Sequence, residues 1–394
     1  MKLKASARSD KHSGSDYYFR IANSFRVGKY VCALVFALFM IMMLFVYGDK
    51  ITYNNFRYML RDIDAAALLR ADVPFTSISY RTADPEFESL NNNLVIADQN
   101  SVTLYNPAGI SVYSVPFSGQ NPQLEADGKY LLVHDLGGKS FLLCNSITKL
   151  VSGDAKGAIC AADVGKSGAF ALAISSTGTR YEVDVYNSSF AHSATYGIND
   201  FVMDVSISDG GDRIAILTFS GESDIPDTTL RIGEVGREEY LAVETFSSEF
   251  PVAVDFRGDS VLVLTDRTLY FYSCDGVLWT SHSLGNYALN AYALDDEHLA
   301  ISAVKNGEEF IAVFDRKGTL LYNGSAAITV KDMAFCRDAL LILSAGQAAS
   351  LSLDSYDITV TPLDDALCIL GLDSYGLVCG KSRASAVFVE KSEK

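Results

Sequence analysis

The sequence lacks the short motifs by which many enzymes and metal proteins are recognised. Its 394 residues contain no Gly-x-Ser-x-Gly nucleophile elbow and no Gly-x-x-x-x-Gly-Lys phosphate loop. They also contain no His-x-x-x-His pair and no Cys-x-x-Cys pair, which disfavours structural zinc. From these absences we predict that the chain has no catalytic residues, no cofactor site and no metal site.

Positive charge is scarce beyond the first 50 residues. The chain has 32 Lys and Arg against 48 Asp and Glu, which gives a net charge of −16. Residues 1–50 carry +5, so the remainder carries −21. Because nucleic-acid affinity comes largely from Lys and Arg that neutralise phosphates, we expect no nucleic-acid partner. A content of 49% hydrophobic and 20% charged residues also excludes a disordered chain.

Residues 30–47 read YVCALVFALFMIMMLFVY, which is 18 positions without charge, proline or glycine. As a helix they would span roughly 27 Å, close to the hydrocarbon thickness of a bilayer. Seven basic residues precede this segment, so the positive-inside rule places the N-terminus in the cytoplasm. A cleaved signal peptide is the alternative, but no small-x-small cleavage site closely follows Tyr47. We therefore predict an uncleaved membrane anchor.

The anchor divides the chain into four predicted parts. These are a basic cytoplasmic tail (1–29), a transmembrane helix (30–47), an amphipathic stalk helix (48–72) and an extracytoplasmic domain (73–394). In the stalk, Phe56, Leu60 and Ile63 fall on one face at helical spacing. The tail is too short for a folded domain, so we interpret it as an orientation signal.

From residue 73 onward the apolar pattern changes from helical to strand-like. Short apolar runs recur every 37–47 residues, beginning at Leu94, Leu131, Phe170, Ile214, Val261, Leu299, Leu340 and Leu377. A further strand pattern follows each run, and turn signals such as Asp127-Gly128 separate them. A period near 40 residues with four short strands is typical of propeller blades. We predict an all-β fold, a β-propeller of about eight four-stranded blades. Seven blades is the alternative, because the unit at 201–248 is long.

The last repeat is incomplete, since it offers only three strand patterns, at 366–372, 376–380 and 384–390. A fourth strand can come from residues 74–81, at the other end of the domain. Ring closure of this kind would leave no blade with an unpaired edge, which is how propellers manage their sheet edges.

The layout of a basic tail, one anchor, the stalk NFRYMLRDID (residues 55–64) and a repeat domain resembles a family of membrane-anchored propellers of unknown function from Gram-positive bacteria. The resemblance implies an extracytoplasmic propeller and supplies no functional residues. The blades are also distantly similar to quinoprotein-like and WD40-like propellers, most clearly at DGVLW (residues 275–279). Quinone enzymes of that type repeat a docking tryptophan in most blades, whereas this chain has one Trp, so no quinone cofactor is expected.

Of the seven cysteines, Cys32 lies in the predicted anchor and most others fall within strand patterns. If Asp373-Ser374 forms a two-residue turn, Cys368 and Cys379 lie opposite each other on neighbouring strands. They are the one candidate disulfide, and buried free thiols are the alternative.

Three functions remain open for the domain. A binding or scaffold module would recognise a protein or a cell-envelope polymer through the loops that join the second and third strands of the blades. Its candidate residues are Arg180, Glu222, Asp224, Asp227, Asp266, Arg267, Asn306 and Arg383. An enzyme acting on envelope glycans would need two carboxylates that converge in a pocket, and a ligand sensor would need to signal through the tail. Because no motif supports catalysis, we favour the binding module and leave its oligomeric state open.

Overall fold

The computed structural model describes residues 27–39, 42, 77–82, 84–107, 109–221, 227–326, 328–363, 366–372 and 375–387. It divides into two units, Met1–Asp62 and Ile63–Lys394, which are treated separately. In the first unit residues 27–39 are helical, with exposed side chains. Among the described residues no helix is both long and apolar enough to cross a membrane. The helix predicted for 30–47 runs past this described stretch, and the predicted stalk helix (48–72) lies outside the described residues.

The second unit consists of eight antiparallel sheets of four strands each, which are the blades of a propeller. The strands of blades 1–4 are β2(Glu86–Leu90), β3(Asn93–Ala97), β4(Ser101–Tyr105) and β5(Ser111–Pro116); β6(Pro122–Asp127), β7(Tyr130–Asp135), β8(Ser140–Asn145) and β9(Lys149–Asp154); β10(Ile159–Val164), β11(Phe170–Ser175), β12(Tyr181–Tyr186) and β13(His192–Ile198); β14(Phe201–Ile207), β15(Arg213–Ser220), β16(Asp227–Glu234) and β17(Tyr240–Ser247).

The strands of blades 5–8 are β18(Pro251–Arg257), β19(Ser260–Thr265), β20(Thr268–Ser273) and β21(Leu278–Ser283); β22(Ala288–Leu294), β23(His298–Lys305), β24(Glu308–Asp315) and β25(Leu320–Ser325); β26(Asp332–Cys336), β27(Ala339–Ser344), β28(Gln347–Ser352) and β29(Ile358–Pro362); β30(Cys368–Gly371), β31(Gly376–Cys379), β32(Arg383–Val387) and β1(Ile78–Ser79). Eight blades are therefore confirmed, and the seven-blade alternative was wrong.

Burial explains why each blade shows one continuous apolar run. The second strand of a blade has both faces covered by neighbouring blades, so all six residues of β19, SVLVLT, are buried. The fourth strand lies at the circumference, and β21, LWTSHS, is mostly exposed. All eight apolar runs predicted from the repeat lie in second strands.

The core lies between the blades. In the described residues eight clusters of buried apolar side chains fill the eight spaces between neighbouring sheets. Between blades 2 and 3, for example, the buried Phe170 ring stacks on Tyr186 with centroids 4.5 Å apart. Since burial of one large apolar side chain is worth about 1.5–3 kcal/mol, the ring is stabilised chiefly by these layers.

The two ends of the domain close the ring in blade 8. Strand β1 pairs antiparallel with β32, where Ile78 lies opposite Ala384 and Ser79 opposite Arg383. This confirms the prediction that residues 74–81 supply the missing outer strand. The strands of this blade are short: β1 has two residues, and β30 and β31 have four each.

Candidate binding face and central channel

One face of the ring, called the loop face here, carries the connections between the second and third strands of each blade and those between successive blades. The candidate residues that the structure describes belong to loops or strand ends of this face. Glu222 and Asp224 lie outside the described residues. The other six are contributed by blades 3, 4, 5, 6 and 8.

An aromatic strip crosses the loop face from blade 3 to blade 5. The Arg180 guanidinium carbon lies 4.1 Å from the centroid of the Phe201 ring in the next blade. Ring centroids of Phe201 and Phe219 are 6.3 Å apart, and those of Phe219 and Phe250 are 4.9 Å apart. Phe201 and Phe250 are 39% and 42% exposed, so two of the three rings remain accessible to a partner.

Backbone hydrogen bonds attach the strip to the loop of blade 5. The Phe250 N–H donates to Asp266 Oδ1 at 2.7 Å, and the Asp266 N–H donates to the Phe250 carbonyl at 2.9 Å. Arg267 Nε lies 3.8 Å from the Asp266 carboxylate. The strip therefore joins three predicted residues, Arg180, Asp266 and Arg267, through aromatic residues that were not predicted.

The remaining predicted residues have different surroundings. Asp227 begins β16 and pairs with Ser220 and Ser247 in the sheet. Asn306 occupies a tight turn in blade 6 with a positive φ of 55°. Arg383 begins β32 opposite Ser79. In the described part of the chain, these ring and ion-pair contacts of the strip do not include Asn306 or Arg383.

The aromatic residues of the strip were missed because each resembled part of a buried strand in the sequence. A usable signal was their position: Phe201 follows Asp200 at the start of a repeat, and Phe250 immediately precedes Pro251. These are junctions between blades, where a large apolar side chain is less completely covered than inside a strand.

The innermost strands of the blades surround an acidic channel at the centre of the ring. Blades 1–5 each contribute a carboxylate to its wall, namely Glu88, Glu125, Asp163, Asp204 and Asp255. Tyr292 of blade 6 also lines the channel, whose volume is about 390 Å³. The channel was not predicted, since the residues are about 40 positions apart in the sequence.

Three carboxylates hold neighbouring innermost strands together. Asp163 Oδ2 accepts from the Ile207 N–H at 2.7 Å and from the Ser206 hydroxyl at 2.8 Å. Asp204 Oδ2 accepts from the Val254 N–H at 2.8 Å, and Asp332 Oδ2 from the Ile369 N–H at 2.9 Å. Each bond crosses from one blade to the next, so these acids have a structural role in the ring.

Burial raises the pKa of the channel carboxylates. The pKa of Asp163 is raised to about 8, by burial first and then by the negative charge of Asp255. Burial raises the pKa of Glu88 and that of Asp204 to about 7. The pKa of Glu125 is raised well above its ordinary value by burial and by neighbouring carboxylates. Only Asp255 has a basic partner on its own strand, the guanidinium of Arg257, among the described residues.

On the face opposite the loop face, two ion pairs of Lys166 link turns of separate blades. Lys166 Nζ lies 2.8 Å from Asp296 Oδ1 of blade 6 and 3.2 Å from Asp209 Oδ2 of blade 4. Within the described residues no group of three or more His, Cys, Asp or Glu side chains is arranged to hold a metal ion.

Cys368 and Cys379 lie directly opposite each other in β30 and β31, in the register that the sequence predicted. Both thiols are free in the structure, and Cys379 is buried. A hydrogen bond with Cys368, followed by burial, raises the pKa of Cys379 well above its ordinary value. The disulfide remains a prediction.

Comparison with known families decides the classification. Residues 75–357, well over half of the chain, match the family described as "Family of unknown function (DUF5711)". The chain belongs to the DUF5711 family. The DUF5711 match covers blades 1–6 and ends at the turn before β29 in blade 7. Comparison with curated proteins gives no match.

Solved structures place the DUF5711 domain among known propellers. The chain is similar to the computationally designed Ika8 protein, at 15% identity and a TM-score of 0.58, over 79% of this chain and 99% of that one. It is also similar to BamB from Moraxella catarrhalis, at 8% identity and a TM-score of 0.53, over 80% and 99%. A eukaryotic initiation factor matches at 15% identity and a TM-score of 0.54, over 79% and 85%. At such low identities the likeness concerns the fold alone.

Proposed function

We propose that the chain is a membrane-anchored, extracytoplasmic binding module that recognises a protein partner through the aromatic strip of its loop face. The observation that carries this proposal is the continuous contact from Arg180 through Phe201 and Phe219 to Phe250, with two exposed rings. Protein interfaces are enriched in aromatic residues and arginine at their centres, and such residues supply most of the binding energy.

The rigidity of the strip supports this assignment. Phe201 and Phe219 pair within the sheet, and the Phe250 backbone is bonded on both sides to Asp266. A surface held in its binding conformation loses little entropy on association. An exposed aromatic pair on a fixed scaffold is therefore better suited to a protein partner than the same residues on a free loop.

Anchoring is proposed from the sequence. The charge-free stretch 30–47 and the basic residues before it favour insertion with the N-terminus inside. Protease protection in intact cells, with an epitope at each end of the full chain, tests this orientation. Digestion of the C-terminal epitope alone supports it, and protection of both epitopes contradicts it.

Site-specific photocrosslinking in cells tests the binding function. A photoreactive phenylalanine analogue at position 250 of the full-length protein should give discrete protein adducts. The same analogue at Ser193, an exposed residue of the outer strand β13, serves as the control. The adducts from position 250 should disappear when Arg180→Ala is added. Equal adducts from both positions, or none from position 250, would contradict the proposal.

Glycan hydrolysis is the second candidate function, because two channel carboxylates share one neighbour. The Ser206 hydroxyl lies 2.8 Å from Asp163 and 3.4 Å from Asp255, so the two acids are close neighbours, and glycosidases act with two neighbouring carboxylates. Both carboxylates, however, already bind protein groups: Asp163 accepts backbone N–H bonds and Asp255 pairs with Arg257. Release of reducing sugar from envelope glycan by wild type but not by Asp255→Asn would favour this function over the first.

A further inference from the structure

A cavity of about 920 Å³ is lined by residues of blades 6, 7, 8 and 1. Most of its walls are residues of the innermost strands β2, β26 and β30, together with Ala293 and Leu294 of β22, Lys381 and residues that precede β2 and β30. This volume lies within the usual range for sites that bind small organic ligands. The aromatic strip is on blades 3–5, so the cavity is a separate feature of the ring.

The cavity borders the blade that closes the ring, whose first and second strands are the shortest. Strands β30 and β31 have four residues each, whereas the first and second strands of the other blades have five to eight. The cavity therefore lies beside the blade in which the two ends of the domain meet.

The walls of the cavity combine apolar and acidic groups. Phe87, Met333, Phe335, Leu367, Ile369 and Leu370 supply the apolar part. Asp84, Glu86, Glu88 and Asp332 supply carboxylates, against Lys381 as the one base in the lining that the structure describes. Both oxygens of Asp332 already accept hydrogen bonds, one from the Met333 N–H and one from the Ile369 N–H.

Glu88 is the carboxylate best placed for a ligand. It lines both the cavity and the acidic channel, and its Oε1 accepts from the Ser89 N–H at 2.7 Å. Among the described residues no basic side chain forms an ion pair with Glu88 or Glu86. A half-buried carboxylate without a cationic partner is costly, and a bound cation would offset that cost.

We propose that this cavity binds an organic cation joined to an apolar group, with the ammonium or guanidinium at Glu88 and Glu86 and the apolar body against the blade 7 and 8 wall. Charge complementarity selects the cation, because carboxylates outnumber bases in the lining. The apolar wall selects the attached group and disfavours a fully hydrated inorganic ion. The same chemistry is offered by a free arylalkylamine and by a lysine or arginine beside an aromatic residue in a peptide.

Calorimetric titration of the purified full-length protein in detergent tests the proposal. The probes are phenethylamine, the capped dipeptide Phe-Lys and, as a matched control, the capped dipeptide Phe-Glu. Binding of phenethylamine alone identifies a free amine as the source, and tighter binding of Phe-Lys identifies a peptide. Absence of binding by both cations, or equal binding of Phe-Glu, overturns the proposal.

Variants locate the site. Glu88→Gln should weaken binding by about tenfold or more, because it removes a charge-assisted hydrogen bond. Lys381→Glu should tighten binding by about two- to fivefold, since it replaces the rim base by an acid. Glu239→Gln, which alters an exposed acid of blade 4, should have no effect. The two variants are expected to change the affinity in opposite directions, so poor folding of one variant cannot explain both results. If Glu88→Gln, Lys381→Glu and wild type bind with equal affinity, the assignment is overturned.

Discussion

The Asp163 carboxylate of blade 3 accepts a hydrogen bond from the backbone N–H of Ile207 in blade 4 at 2.7 Å. Asp204 and Asp332 make the same kind of bond to the following blade. Apolar layers hold the blades face to face, but a layer of this kind permits sliding. Bonds from a side chain to a backbone N–H fix the position of one innermost strand relative to the next.

Removal of the Asp163 side chain should therefore destabilise the ring. Asp163→Ala leaves the Ile207 N–H and the Ser206 hydroxyl without this acceptor, and one such loss in a buried site costs about 1–3 kcal/mol. Asp163→Asn should cost less, because its amide oxygen can still accept from Ile207. Urea unfolding measures both variants, with Glu239→Ala at an exposed position as the control. Equal stability of Asp163→Ala and the control would contradict the structural role of this carboxylate.

The channel carboxylates also make stability depend on pH. Their pKa values in the folded state, about 8 for Asp163 and about 7 for Glu88 and Asp204, lie above the values near 4 expected in an unfolded chain. Between these limits the folded state binds more protons, so its stability is greatest at the acidic end and declines as the pH rises towards 8. We expect the melting temperature to fall by about 5 °C or more between pH 5.5 and pH 8.

A single substitution tests the source of this dependence. Glu125→Gln removes a carboxylate whose pKa is raised well above normal, so it should flatten the decline between pH 5.5 and pH 8. Glu239→Gln should leave the decline unchanged. An increase of stability with pH over this range would show that other groups dominate.

The fold could be predicted because its main signal is local and repeated. A strand covered on both faces must be apolar at every position, and runs such as Val261–Leu264 in β19 recur once in each blade. The turn between β30 and β31 is equally local, so the pairing of Cys368 with Cys379 followed from the sequence. Ring closure by β1 was predictable because a three-stranded blade needs a fourth strand.

The sites could not be predicted in the same way, since they depend on distances around the ring. Glu88 and Asp204 are ordinary polar residues in alternating strands, and only closure of the propeller brings them to one channel. Phe250 looked like the start of a core strand, and its exposure depends on the packing of the neighbouring loop. The loops supplied the polar candidates, whereas the exposed aromatic residues lie at the blade junctions.

Gly371 should tolerate no side chain. A Cβ at this position would lie 1.5 Å from the Phe335 carbonyl oxygen of β26, which would force β30 away from blade 7. Overpacking against backbone costs about 1–3 kcal/mol or more, and we expect Gly371→Ala to be at the upper end. Gly178→Ala is the matched control, because its Cβ would meet nothing within 4 Å. Chemical denaturation compares the two, and similar midpoints would contradict the close approach of β26 and β30.

The thiols of blade 8 should be found unbonded. The Leu372 N–H donates to the Tyr375 carbonyl, so alternation along the hairpin makes Cys368 and Cys379 a hydrogen-bonded pair. Cβ atoms are farther apart in such pairs than in non-hydrogen-bonded ones, which disfavours a disulfide. Intact mass after alkylation without reduction, in denaturant, should show both cysteines modified. If neither cysteine is alkylated and the mass is lower by two hydrogens, the disulfide is established instead.

The segment before blade 1 should stabilise the domain, because its strand β1 closes the ring. Ile78 of β1 is 4% exposed and packs in the cluster between blades 8 and 1, whereas its neighbour Ser79 is exposed. Ile78→Ala should therefore destabilise the domain by about 2–4 kcal/mol, and Ile78→Val by about 1 kcal/mol. Ser79→Ala should be nearly neutral, since it keeps the backbone pairing with Arg383. Urea unfolding of the full-length protein measures all three. If Ile78→Ala unfolds at the wild-type midpoint, the two-residue strand does not close the ring, and blade 8 must be stable with three strands.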